Sequence, residues 1–164
     1  MKSYLISALA VRLGAQGRDV FLQQHWHDWL VWEAGAWKPP NKQTVNISRD
    51  AIRLASPSRA GESLAVALEP GPKGLVLGRA HESDLVINDG TLSGHHLTFR
   101  QLGDDEWTVE DAHSKNGTRL DGDVLTPGAP VLLRDGTKID AAHVSLTYYT
   151  AEGMLLRLQT LLPP

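Results

Sequence analysis

The sequence contains no cysteine. Disulfides and thiolate metal sites are thereby excluded, and a reducing cytoplasm is the simplest compartment for the chain. An excess of positive charge is lacking too: 16 Lys and Arg stand against 19 Asp and Glu, a formal charge of −3. There is no general cationic field to hold nucleic acid or an anionic membrane, so any anion must be held locally. No apolar run approaches the ~20 residues that span a bilayer. The opening MKSYLISALAV has a Lys and then a short apolar stretch, as signal peptides do, but Arg12 cuts it short. Leu5, Leu9 and Leu13 recur at helical spacing and point to an amphipathic helix instead.

What is present suffices for one core of β-sandwich size with a small extension, since 41 % of 164 residues are hydrophobic. Residues 3–14 read as a helix, Gly14 to Gly17 as its break, and Val20, Phe21 and Gln24 as part of a second short helix. Four of the five tryptophans follow (Trp26, Trp29, Trp32 and Trp37), and WLVWE reads as extended. These rings are expected to pack a helical, Trp-rich extension, residues 1–45, onto the main domain. After Pro39-Pro40 the stretch 46–62 reads as a linker. From Ser63 the texture changes to short apolar runs: SLAVAL, GLVLG, DLVI, HLTF, WTVE, VLL and VSLTYY. They are separated by the turn dipeptides Asp89-Gly90, Asn116-Gly117, Asp121-Gly122 and Asp135-Gly136. The spacing predicts an all-β antiparallel sandwich over residues 63–150. The tail 151–164 regains helical character, with Leu155, Leu158 and Leu162 able to share a face.

Within the sandwich region the order of residues becomes specific. The chain reads LGR at Leu77 to Arg79, SDLVIND at Ser83 to Asp89, LSGHH at Leu92 to His96 and DAHSKNGTRLDG at Asp111 to Gly122. This resembles the forkhead-associated (FHA) family, whose signature is Gly-Arg, then Ser-x-x-His, then Asp-x-x-Ser-x-Asn-Gly-Thr. The resemblance implies a phosphothreonine-binding module with no catalysis and no cofactor. Arg79 would contact the phosphate, Ser93 would donate its hydroxyl, Lys115 would help at the same face, and Asn116 would hold the peptide backbone. Gly94 stands where the family commonly has a polar side chain, so its backbone N–H would have to replace that contact. Gly78, His96, Asp111, Ser114, Gly117 and Thr118 would brace the site. Asp121 replaces a family Asn and Thr137 a family Asp, departures expected to bear on preference for residues after the phosphothreonine.

The chemistry of the side chains agrees with that reading. A phosphate dianion offers acceptors only, so it needs a guanidinium or ammonium, a hydroxyl and N–H groups, and loops at one end of a sandwich can bring them together. The implied partners are a phosphothreonine protein or peptide, hence a Ser/Thr kinase or its substrate. The N-terminal extension is a candidate surface for a second protein, and binding independent of phosphorylation is the alternative. Acyl transfer by Ser93 with His95 or His96 lacks the G-x-S-x-G elbow. Metal binding by His25-x-His27 or His95-His96 lacks a third ligand at a diagnostic spacing. Thr44 and Thr91 are hydroxyls that could themselves accept phosphate.

Overall fold

The computed structural model describes residues 1–35, 52–54 (backbone only), 62–71 and 73–164. The strands are β1 Ser3–Leu5, β2 Trp29–Trp32, β3 Ile52–Leu54, β4 Leu64–Ala67, β5 Leu75–Gly78, β6 Leu85–Ile87 and β7 Leu97–Leu102. They continue with β8 Glu106–Asp111, β9 Thr118–Leu120, β10 Asp123–Val124, β11 Val131–Leu132, β12 Lys138–Ala141 and β13 Val144–Tyr149. Among the described residues three helices accompany them: α1 Ile6–Gln16, α2 Arg18–Gln24 and α3 Ala151–Gln159. One sheet has the order β1-β4-β2-β13-β12-β9-β10 and the other β11-β8-β7-β5-β6-β3. The fold is an all-β sandwich, and each apolar run read from Ser63 onward contributes a strand to it. Pairing is antiparallel except at β6, which runs parallel to both β5 and β3.

The Trp-rich strand was expected in an extension, but β2 lies inside the first sheet, between β4 and β13. Its side chains alternate. Leu30 and Trp32 enter the core between the sheets. Trp29 and Val31 enter a second core under the three helices. A strand covered on both faces shows no polar alternation, so sequence alone does not reveal which sheet it joins. Beside it, β4 sends Val66 into the sandwich core and Ala65 and Ala67 towards the helices. The molecule is thus three layers deep: helices, first sheet, second sheet.

The first helix begins later than its leucine spacing suggests, because Ser3–Leu5 pair with Leu64–Val66 as an edge strand. Its buried stripe is Ile6, Leu9, Ala10 and Leu13, leaving Leu5 exposed. Gly14 stays helical. The break falls at Gly17, whose φ of 80° suits glycine. In α3, Met154, Leu155 and Leu158 are buried. The Thr150 hydroxyl caps the helix by accepting from the Gly153 N–H at 3.1 Å. Of the four turn dipeptides, only Asp121-Gly122 has positive φ at both positions (47° and 91°), and it joins β9 to β10. Among the described residues no helix is long and apolar enough to cross a membrane.

Candidate functional site

Strand β5 ends at Gly78, and the chain then runs against the segment before β7. The Arg79 N–H donates to the Ser93 carbonyl at 2.9 Å, Ala80 N–H to Gly94 at 3.0 Å, and His96 N–H to Leu77 at 2.8 Å. The approach is so close that a Cβ on Gly78 would lie 1.9 Å from the Gly94 carbonyl oxygen. Glycine is required at position 78 for that reason alone. The Ser83 hydroxyl donates to the same Gly94 carbonyl at 3.0 Å, so Gly94 is held by its oxygen while its N–H makes no hydrogen bond among the described residues.

Three loops meet at this rim. The Ser93 hydroxyl oxygen accepts from the Lys115 N–H at 2.9 Å, which leaves the hydroxyl proton for another acceptor. The Asn116 amide donates to the Thr91 carbonyl at 2.8 Å. The Arg79 Nε–H donates to the Leu92 carbonyl at 3.2 Å, and the terminal amino groups of its guanidinium have no partner among the described residues. Arg79, Lys115 and Asn116 are exposed and Ser93 is half-buried. The structure therefore brings together all five residues that sequence nominated for the ligand, as a row of donors with no carboxylate bonded to any of them among the described residues.

Beneath the rim lies a buried scaffold. Asp111 is fully buried and accepts from the Ser114 N–H (2.9 Å), the Ser114 hydroxyl (2.6 Å) and the Thr118 hydroxyl (2.7 Å). Burial alone would raise its carboxyl, but these bonds outweigh it and hold the group below the usual carboxylate range. The Ser114 hydroxyl oxygen in turn accepts from the Gly117 N–H at 3.0 Å. The loop from 111 to 118 is thus wound around one carboxylate.

His96 is the second pin. Its Nδ1 accepts from the Ser93 N–H at 3.1 Å, so the proton sits on Nε2, which donates to the Gly117 carbonyl at 3.0 Å. Burial holds the imidazole below the ordinary value of 6.5, against the opposing pull of the Gly117 carbonyl and Asp111. An unfolded histidine protonates near 6.5 while His96 resists, so its contribution to stability is present above that pH and is lost as pH falls below it. NMR is expected to find a neutral imidazole with the proton on Nε2 at pH 6.5, titrating only at lower pH. A ring that titrates at the ordinary value would contradict the assignment.

The same contacts bear on the competing chemistries. His96 accepts from the backbone of Ser93 rather than from its hydroxyl, so it is not placed as a base for that serine. His95 is exposed, 3.5 Å from Glu82, and does not share the buried surroundings of His96.

Sequence reasoning did not nominate Thr91 as a brace. Its hydroxyl donates to Asp89 at 2.6 Å and accepts from the His143 N–H at 3.2 Å, while its carbonyl holds Asn116. The Asp-x-Thr spacing of a short turn was the available signal. Thr44, the other candidate for modification, lies outside the described residues. Asp121 and Thr137 sit away from the rim. Asp121 accepts from Lys138 N–H at 2.9 Å, and Thr137 closes the Arg134–Thr137 turn.

The FHA domain family model matches residues 75–141. The chain carries an FHA domain. It is 34 % identical over 107 residues to the FHA domain-containing protein FhaB of Mycolicibacterium smegmatis, covering 65 % of each chain. The chain thus spans less than two thirds of that relative's length. Among solved structures, the MEK1 FHA domain superposes with a TM-score of 0.52 at 19 % identity, over 80 % of this chain and 95 % of that one, a likeness of fold. A second structure, the MEK1 FHA domain in complex with a HOP1 phosphothreonine peptide, matches at 24 % identity and TM-score 0.47, over 52 % and 87 %.

Proposed function

We propose that this FHA domain docks phosphothreonine-bearing proteins, as a non-catalytic cytoplasmic adaptor in Ser/Thr-kinase signalling. The observation that carries the reading is the single rim joining Arg79, Ser93, Gly94, Lys115 and Asn116, pinned by Ser93–Lys115 and Asn116–Thr91 hydrogen bonds. A dianion seated there would accept from the free end of Arg79, the Ser93 hydroxyl, the Gly94 N–H and the Lys115 ammonium. The Asn116 amide oxygen would be left for the backbone of the bound peptide. Charge-assisted bonds are worth about 1.5–3 kcal/mol each, and after ordering costs three or four of them suit an affinity on the order of micromolar. Such a complex is weak enough to dissolve when a phosphatase acts. The exposed Val11 of α1 and Val20 of α2 are the surface a second protein would use.

Calorimetric titration with a phosphothreonine peptide library and its unphosphorylated counterpart tests the proposal. Heat is expected from the phosphorylated set alone. Equal affinity for both would replace this function with recognition independent of phosphorylation.

A further inference from the structure

Two further cationic side chains, Lys2 and Arg12, lie at the other end of the first sheet. Strand β13 starts at Val144, beside the Ala142–Gly117 hydrogen bond that borders the recognition rim. It ends at Tyr149, which pairs with Trp29, and Trp29 pairs with Ala67. At that far end a cavity of about 520 Å³ opens, and its wall includes Lys2, Arg12, Gln24, His25, Trp26 and His27.

The wall is electrostatically unfinished. Arg12 is placed over the Tyr4 ring, 5.2 Å from its centroid, and has no ion pair among the described residues. The carboxylate in the wall, Glu69, lies 3.7 Å from the Met1 amino group. His25 is buried within a ring of aromatics, 4.6 Å from Phe21 and 5.5 Å from Tyr4, and its Nε2 has no hydrogen-bond partner among the described residues. Burial first, and then Arg12, His27 and Lys2, hold its imidazole below the ordinary value. Lys2 and Arg12 thus both bring positive charge to the cavity that His25 lines. At the mouth, Trp26 is 64 % exposed and stacks on His27 with ring centroids 4.1 Å apart, which leaves one indole face open to solvent.

We propose that this cavity binds a small phosphomonoester, its phosphate held by Lys2 and Arg12 and the rest of the molecule lying along Trp26. The group is anionic, because Lys2 and Arg12 line the cavity while Glu69, the carboxylate among its described lining residues, lies against the Met1 amino group. A phosphate matches an ammonium and a guanidinium better than a single carboxylate does, since it presents acceptors in several directions. The volume exceeds what a bare phosphate fills and falls in the range of small-molecule sites. The open indole supplies an apolar face for the remainder.

The test follows the His25 ring resonances of the full chain while inorganic phosphate, glycerol 3-phosphate or AMP is added at constant ionic strength. Each is expected to shift the His25 signals at millimolar concentration and to raise the pH at which the ring protonates, because a bound dianion offsets the surrounding cations. Tighter binding of AMP than of glycerol 3-phosphate would assign the Trp26 face to a flat ring. Equal binding would assign the site to the phosphate group alone. The exposed pair Lys2→Gln with Arg12→Gln should weaken the response at least about tenfold. Arg79→Ala should leave it unchanged, which separates this site from the recognition rim. Absence of any His25 shift with all three compounds, or an equal response from the Lys2 and Arg12 double variant, would overturn the proposal.

Discussion

Replacing Arg79 with Ala is expected to lower affinity for a phosphothreonine peptide by about 2–4 kcal/mol, roughly 30- to 1,000-fold. The side chain is exposed, and its one hydrogen bond among the described residues runs from Nε–H to the Leu92 carbonyl. Losing that bond costs about 0.5–1.5 kcal/mol of stability, so the variant stays folded. The rest of the guanidinium, with its charge, is uncommitted and is therefore lost from binding alone. Arg79→Lys restores a charge but not the planar fork, and an intermediate affinity is expected. Calorimetry on both variants, beside thermal melts that show intact folding, reads the effect. Unchanged affinity in a folded Arg79→Ala protein would remove the guanidinium from the site.

The second large effect is on stability. Gly78→Ala would place a methyl group 1.9 Å from the Gly94 carbonyl oxygen, 2.6 Å from the Gly94 carbonyl carbon and 2.9 Å from the His95 Cα. All three are backbone atoms, so no side-chain rotation relieves the clash. The two rim segments must separate, which breaks the Arg79–Ser93 and Ala80–Gly94 hydrogen bonds together. A loss of at least about 3 kcal/mol is expected, with phosphopeptide capture falling in step. Gly94→Ala is the matched control. Its added methyl would meet the Ala80 Cβ at 3.4 Å, an ordinary contact, and the change should stay within about 1 kcal/mol. Urea denaturation of the two variants side by side measures the contrast. Equal midpoints would show that the close approach at Gly78 is not what the fold depends on.

Both expectations rest on residues that sequence already singled out, and the reason is physical. The rim is built from short local motifs, each at the end of a strand, so the residue types and their order survive as a readable string. Arg79, Ser93 and Asn116 are legible because each belongs to such a string. Thr91 and the Leu92 carbonyl are not, because they act through backbone atoms whose partners are fixed only when the loops meet. The sandwich was legible from its runs and turns. The place of Trp29–Trp32 was not, since it depends on pairing with residues 38 and 120 positions away in the chain, as Trp29↔Ala67 and Tyr149↔Trp29 show. A strand buried on both faces carries no alternation to announce that pairing. The start of α1 was misread for a related reason. Leu5, Leu9 and Leu13 keep helical spacing, but pairing of Leu5 with Leu64 captures the first of them as a strand.

The most direct test of the account is to titrate the isotopically labelled chain with a phosphothreonine peptide and follow every backbone amide. The large shifts are expected at Arg79, Ser93, Gly94, Lys115 and Asn116, with none on adding the unphosphorylated peptide. Shifts centred elsewhere, or the same shifts without the phosphate, would contradict it.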